Sequence, residues 1–162
     1  METKRDEFRD DWTVMDLHGA FEYVSGLDQV AANRIGIVGH CWGGRIAWLG
    51  VCHDTRYRAC AVFYGGRVKL SFADGGPAPI TLADNINCPV LGIFGNEDVG
   101  PSPGDVDDYA AALQSAGVEH EFHRYDEAGH GFQDFTNPQR YRESQSEDGW
   151  DKALHFFHRH LG

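Results

Sequence analysis

Apolar positions along this chain recur with two different periods. Val14, Leu17, Phe21 and Val24 fall at helical spacing and predict an amphipathic helix over 13–26, with Thr13 as its cap. The run Ile35-Gly36-Ile37-Val38 predicts a buried strand over 34–40, followed by a helix over 42–53. Residues 59–64 (Ala-Cys-Ala-Val-Phe-Tyr) read as a second strand, stopped by Gly65-Gly66. Residues 67–88, rich in Gly, Pro and Asp, read as a long loop with one helical turn near Leu82. A third strand spans 89–95. A helix over 105–116 places Val106, Tyr109, Leu113 and Ala116 on one face and stops at Gly117. Residues 119–125 alternate as a fourth strand, 133–147 form a polar loop, and a last helix covers 146–160.

Strands that alternate with helices imply a mostly parallel sheet with helices on both faces, a three-layer α/β arrangement. At 162 residues the chain reads as a single domain over 1–162, with residues 1–12 as an extended arm. In such sheets the ligand site lies at the carboxyl ends of the strands. Cys41, Asp98 and His130 each fall just after a predicted strand.

Charge and composition narrow the functional classes. A formal charge of −11, with 25 Asp and Glu against 14 Lys and Arg, argues against a nucleic-acid partner. No apolar run approaches the roughly 20 residues that a membrane span needs. The first seven residues are charged and carry no signal-peptide core, so a cytoplasmic location is expected. No two of Cys41, Cys52, Cys60 and Cys88 form a Cys-x-x-Cys pair, and Cys52, Cys60 and Cys88 sit in apolar surroundings as small core residues. His155, His158 and His160 on the last helix read as a solvated face, so no metal is expected.

Gly39-His40-Cys41-Trp42-Gly43-Gly44 lies between a strand and a helix and has the form of a nucleophile elbow. The turn is tight enough that the positions two before and two after the nucleophile, Gly39 and Gly43, are expected to need glycine. A cysteine attacks as thiolate. A histidine can take its proton and return it to the leaving group, while an acid on the far ring nitrogen fixes the tautomer. His130 and Asp98 fill these roles in the chain order of the α/β-hydrolases, nucleophile, acid, histidine. His40, beside the nucleophile, reads as shaping the turn.

Four segments, Ile37–Gly44, Phe63–Gly66, Gly95–Asp98 and Glu127–Phe132, together resemble the dienelactone hydrolase family. The resemblance covers nearly the whole chain from about residue 13. It implies an α/β-hydrolase that cleaves small esters or lactones through an acyl-thioester, without a cofactor. By the same match Cys41 is the nucleophile, Asp98 the triad acid with Glu97 as runner-up, and His130 the base. The backbone N–H of Trp42 is the first oxyanion-hole donor. Tyr64, Phe72 and Phe132 are expected to line the substrate pocket.

Two departures from the family pattern bear on function. The family carries several strands before the helix that leads into the elbow, whereas residues 1–12 precede that helix here, which reads as an N-terminal truncation. The loop after one of those strands normally donates the second oxyanion N–H. The alternative reading is therefore a catalytically weak oligomeric relative. The exposed edge strand that truncation leaves predicts a homodimer or higher homo-oligomer. Secondly, the family binds a substrate carboxylate with an arginine placed shortly after the catalytic histidine. This chain has Gly131-Phe132-Gln133-Asp134 there, which favours a neutral ester or lactone, although Arg67, Arg140 or Arg142 could substitute. A glutamine amidotransferase also uses a Gly-x-Cys-x-Gly turn but pairs its histidine with a glutamate two residues on, where Phe132 stands.

Overall fold

The computed structural model describes residues 8–72 and 75–162. The elements, in chain order, are α1 (Asp10–Ser25), β1 (Ile37–His40), α2 (Trp42–His53) and β2 (Cys60–Phe63). A 3-10 helix (Pro79–Asn85) leads to β3 (Val90–Gly95), α3 (Pro103–Ser115), β4 (His120–Tyr125) and α4 (Glu143–Leu161). The strands form one parallel sheet in the order β1-β2-β3-β4. This is the α/β arrangement that the alternation of periods predicts. None of the described helices is long and apolar enough to cross a membrane.

The two central strands are buried along their whole length because each face of the sheet carries helices. Cys60, Val62, Val90 and Phe94 point to one side and pack with Phe21 of α1, Trp48 of α2 and Tyr109 of α3. Ala61, Phe63, Leu91 and Ile93 point to the other and pack with Ala153 and Phe156 of α4. Cys52, Cys60 and Cys88 lie in the first of these layers, and burial pushes their thiols well above the ordinary range, Cys52 and Cys88 to about 12. β1 pairs with β2 on one side only, and Val38 is 44% exposed at this edge.

Three expectations change. The first helix begins at Asp10, so residues 10–12 are helical, and residues 1–7 of the expected arm lie outside the described residues, as do 73 and 74 of the loop. Thr13 does not cap this helix; its hydroxyl donates to the carbonyl of Arg9 one turn back. The helix starts earlier because Asp10 is drawn into a buried ion pair with Arg45. At the elbow, a Cβ on Gly39 would lie 1.9 Å from the carbonyl oxygen of Gly43, whereas one on Gly43 meets nothing within 4 Å. The second steric requirement falls instead on Gly44, whose Cβ would lie 2.8 Å from the Cα of Gly65.

Gly39→Ala is therefore expected to destabilise the fold by more than about 3 kcal/mol in chemical denaturation. Gly43→Ala should change stability by less than about 1 kcal/mol. Equal effects would refute this account of the turn.

Candidate active site

Three loops at the carboxyl ends of β1, β3 and β4 bring Cys41, Asp98 and His130 together. Cys41 occupies the elbow at φ 55° and ψ −119°, a left-handed strained conformation that lifts its side chain out of the strand-to-helix turn. Its thiol is exposed, unlike the other three. His130 follows β4 in the turn Ala128-Gly129-His130-Gly131, where Gly131 has φ +71°. Nε2 of His130 lies 2.9 Å from Cys41 Sγ, and Nδ1 lies 2.8 Å from Asp98 Oδ2.

Asp98 is almost completely buried at 3% exposure. Its second oxygen accepts the Gly100 N–H at 2.8 Å, which fixes the carboxylate relative to the imidazole. The hydrogen bond from His130 to this carboxylate raises the imidazole from 6.5 to about 9, against the opposing effect of partial burial, and the contact with Cys41 adds to the rise. Asp98, rather than Glu97, makes this contact.

Cys41 opens into a cavity of about 340 Å³ that also exposes Trp42, Arg67, His130, Arg140 and the backbone of Gly66 and Gly100. Trp42 is the first residue of α2, and the N–H groups of a first helical turn have no intrahelical acceptor. A second, larger cavity of about 730 Å³, lined by the residue before Cys41 among others, does not include Cys41 itself. His40, Tyr64, Asp134 and Trp150 are among the residues that line it. The smaller cavity is the one onto which the exposed Cys41 thiol opens.

The remaining expected site residues divide. The Tyr64 ring stands 5.3 Å from that of His130, and burial together with the charges of Cys41 and Asp134 raises its phenol to about 12. Phe72 reaches the site only through the Trp42 ring, at 5.4 Å. Phe132 is fully buried, packs between Tyr64 and Tyr125, and lines neither cavity. Its position after Gly131 turns the ring inward to fill the layer under α4. His40 stacks on Phe63 at 4.4 Å, and burial lowers its imidazole below the usual value.

Of the three arginines, Arg142 is committed to the carbonyls of Glu127, Gln139 and Tyr141. Arg67 and Arg140 line the cavity of Cys41, and neither makes an ion pair among the described residues. Asp134, whose position seemed set to repel an acidic substrate, faces the other cavity. Sequence reasoning missed Arg45 and Asp10 beside the elbow. The available signal was an arginine inside an otherwise apolar helical stretch, which is rarely buried without a charged partner.

Residues 1–161 match the dienelactone hydrolase family. A protein of Methylorubrum extorquens provisionally named carboxymethylenebutenolidase is 35% identical over 144 residues, which cover 89% of this chain and 49% of that one. The carboxymethylenebutenolidase of Rhodococcus opacus is 30% identical over 135 residues, covering 78% of this chain and 50% of the relative. The chain thus spans about half the length of the curated relatives it matches. A Klebsiella pneumoniae structure provisionally named a dienelactone hydrolase superposes with a TM-score of 0.84 at 30% identity, covering 94% of this chain and 63% of the other. A puromycin-hydrolysing peptidase of Mycobacterium tuberculosis shares the fold at a TM-score of 0.78 and 19% identity, covering 98% of this chain and 27% of that one. With a family match over residues 1–161 and a superposition at TM-score 0.84, the chain belongs to the dienelactone hydrolase family.

Proposed function

We propose that this chain carries the machinery of a cysteine-dependent hydrolase acting on small esters or lactones. The observation that carries the reading is the unbroken contact from Cys41 through His130 to Asp98. As Sγ attacks the carbonyl carbon, the C–S bond forms and the carbonyl π pair moves onto oxygen, while His130, whose Nε2 faces Sγ, carries the proton that the thiol gives up. The tetrahedral oxyanion develops beside the Trp42 N–H. Collapse expels the alcohol oxygen, which receives the proton from His130, and leaves an acyl-thioester. Water, deprotonated by the same imidazole, then releases the acid and restores the thiol. In a lactone the acid and alcohol stay joined, so one product leaves.

Two arginines beside Cys41, neither in an ion pair among the described residues, favour an acyl group that carries its own carboxylate. The sequence alone pointed to a neutral substrate because of Asp134, but that acid lines the larger cavity. The name that relatives carry, carboxymethylenebutenolidase, is compatible with an acidic lactone.

Cys41→Ala is expected to reduce hydrolysis of short p-nitrophenyl esters by at least about 10³-fold. A folded wild-type chain without turnover, or equal rates in the two proteins, would contradict the reading.

The triad also predicts a pH signature. Folding raises His130 from 6.5 to about 9, so the imidazolium form is favoured in the native state. The stability it contributes is complete below pH 6.5 and is lost as the pH rises through about 9. In an NMR titration the His130 ring should change state near pH 9 and move towards 6.5 in Asp98→Asn. An unshifted midpoint in Asp98→Asn would remove the carboxylate as the cause.

Specificity tests the arginines. Arg67→Gln and Arg140→Gln should each lower the ratio of kcat/KM for a carboxylate-bearing ester over its neutral isostere by roughly fivefold, the scale of an exposed charge pair. An unchanged ratio in both would return the substrate to the neutral class.

A further inference from the structure

Beyond the triad, the buried charge of the described residues is concentrated in one ion pair. Arg45 is fully buried and Asp10 is 5% exposed. Arg45 stands in the first turn of α2, four residues after Cys41. Its Nη1 and Nη2 donate to Asp10 Oδ1 and Oδ2 at 2.6 and 3.0 Å, a two-pronged contact. The same guanidinium donates from Nε to the Arg67 carbonyl at 3.2 Å and from Nη2 to the Leu70 carbonyl at 2.8 Å. Asp10 completes the arrangement, because its Oδ2 accepts the Phe72 N–H at 2.8 Å and its own N–H donates to the Phe72 carbonyl at 3.3 Å. The ring of Phe72 covers the guanidinium at 4.6 Å, and those of Phe8 and Trp42 lie at 5.8 Å.

One ion pair thus grips both ends of the segment 67–72 from the helix that begins at the nucleophile. Stability alone does not call for it, since well-packed apolar groups commonly replace a buried pair without loss. What the pair fixes is the backbone of Arg67, held at φ 58°. The Arg67 side chain remains exposed and extends past the Trp42 ring, 6.0 Å away, at the cavity of Cys41. No other residue of the segment lines that cavity.

We propose that Asp10 and Arg45 are positioning residues for Arg67, holding its guanidinium where it draws a negatively charged reactant to Cys41. The proposal rests on the reading of Arg67 as a group that attracts the substrate carboxylate. It adds that this attraction is set from within the fold, by a pair whose side chains hydrogen-bond to each other and to the segment 67–72 rather than to Cys41, Asp98 or His130.

The test uses alkylation of Cys41, which needs no turnover. Iodoacetate and iodoacetamide react with the same thiol but differ in charge, and a purely structural change alters both rates alike. Rates are read by intact mass in wild type, Arg67→Gln, Asp10→Asn and the double variant. The iodoacetate-to-iodoacetamide ratio should fall about fivefold in Arg67→Gln and nearly as far in Asp10→Asn, with no further fall in the double variant. An unchanged ratio in Arg67→Gln would defeat the reading of Arg67 itself. A lowered ratio in Arg67→Gln with no change in Asp10→Asn would overturn the positioning role. So would an equal effect of Asp10→Asn in both backgrounds. Should Asp10→Asn fail to fold, Asp10→Glu keeps the charge while displacing the segment, and its ratio is expected to fall in the same way; a wild-type ratio there would overturn the proposal.

Discussion

Where β1 becomes α2 the backbone passes so close to itself that Gly39 and the Gly43 carbonyl leave no room for a single methyl group. That crossing forces Cys41 into a left-handed conformation and sets its thiol above the edge of the sheet. The close approach continues outward. Gly44 packs on Gly65 at the end of β2, and Gly95 at the end of β3 packs on the Ala128 carbonyl, where a Cβ would lie 2.1 Å away. These contacts draw the loops after all four strands into one cluster. Asp98 and His130 stand within reach of Cys41 because the strand ends beneath them are locked together in this way.

The charge around Cys41 runs against that of the whole chain. A protein with a net charge of −11 places two arginines, without an ion pair among the described residues, and a strongly basic histidine around its exposed thiol. The acids of the neighbourhood are either spent, as Asp98 and Asp10 are on His130 and Arg45, or turned to the larger cavity, as Asp134 is. Local potential at a cleft is what an approaching reactant feels, so the net charge of the surface is a poor guide to substrate sign here.

Much of the fold could be read from the sequence because β2 and β3 are buried on both faces and their apolar runs are bounded by Gly, Pro and Asn. The elbow and the order Cys41, Asp98, His130 were legible for a related reason: glycine spacing reports backbone geometry directly. Contacts set by tertiary packing were not legible. Gly43 and Gly44 are adjacent and alike in sequence, yet an added Cβ would strike another backbone at Gly44 and meet nothing within 4 Å at Gly43. Phe132 sits next to the His130 turn but rotates into the core, while Arg67, Arg140 and Arg142 could be told apart only by what each side chain meets. The Asp10–Arg45 pair spans 35 positions and carries no local pattern at all.

The proposed role of Cys41 is tested most directly by trapping the acyl group. Rapid acid quench of the chain with an activated ester, followed by peptide mass analysis, should find one acyl mass on the peptide that holds Cys41 and none on Cys41→Ala. Ester turnover with the acyl group on another residue, or the same label retained in Cys41→Ala, would contradict the account.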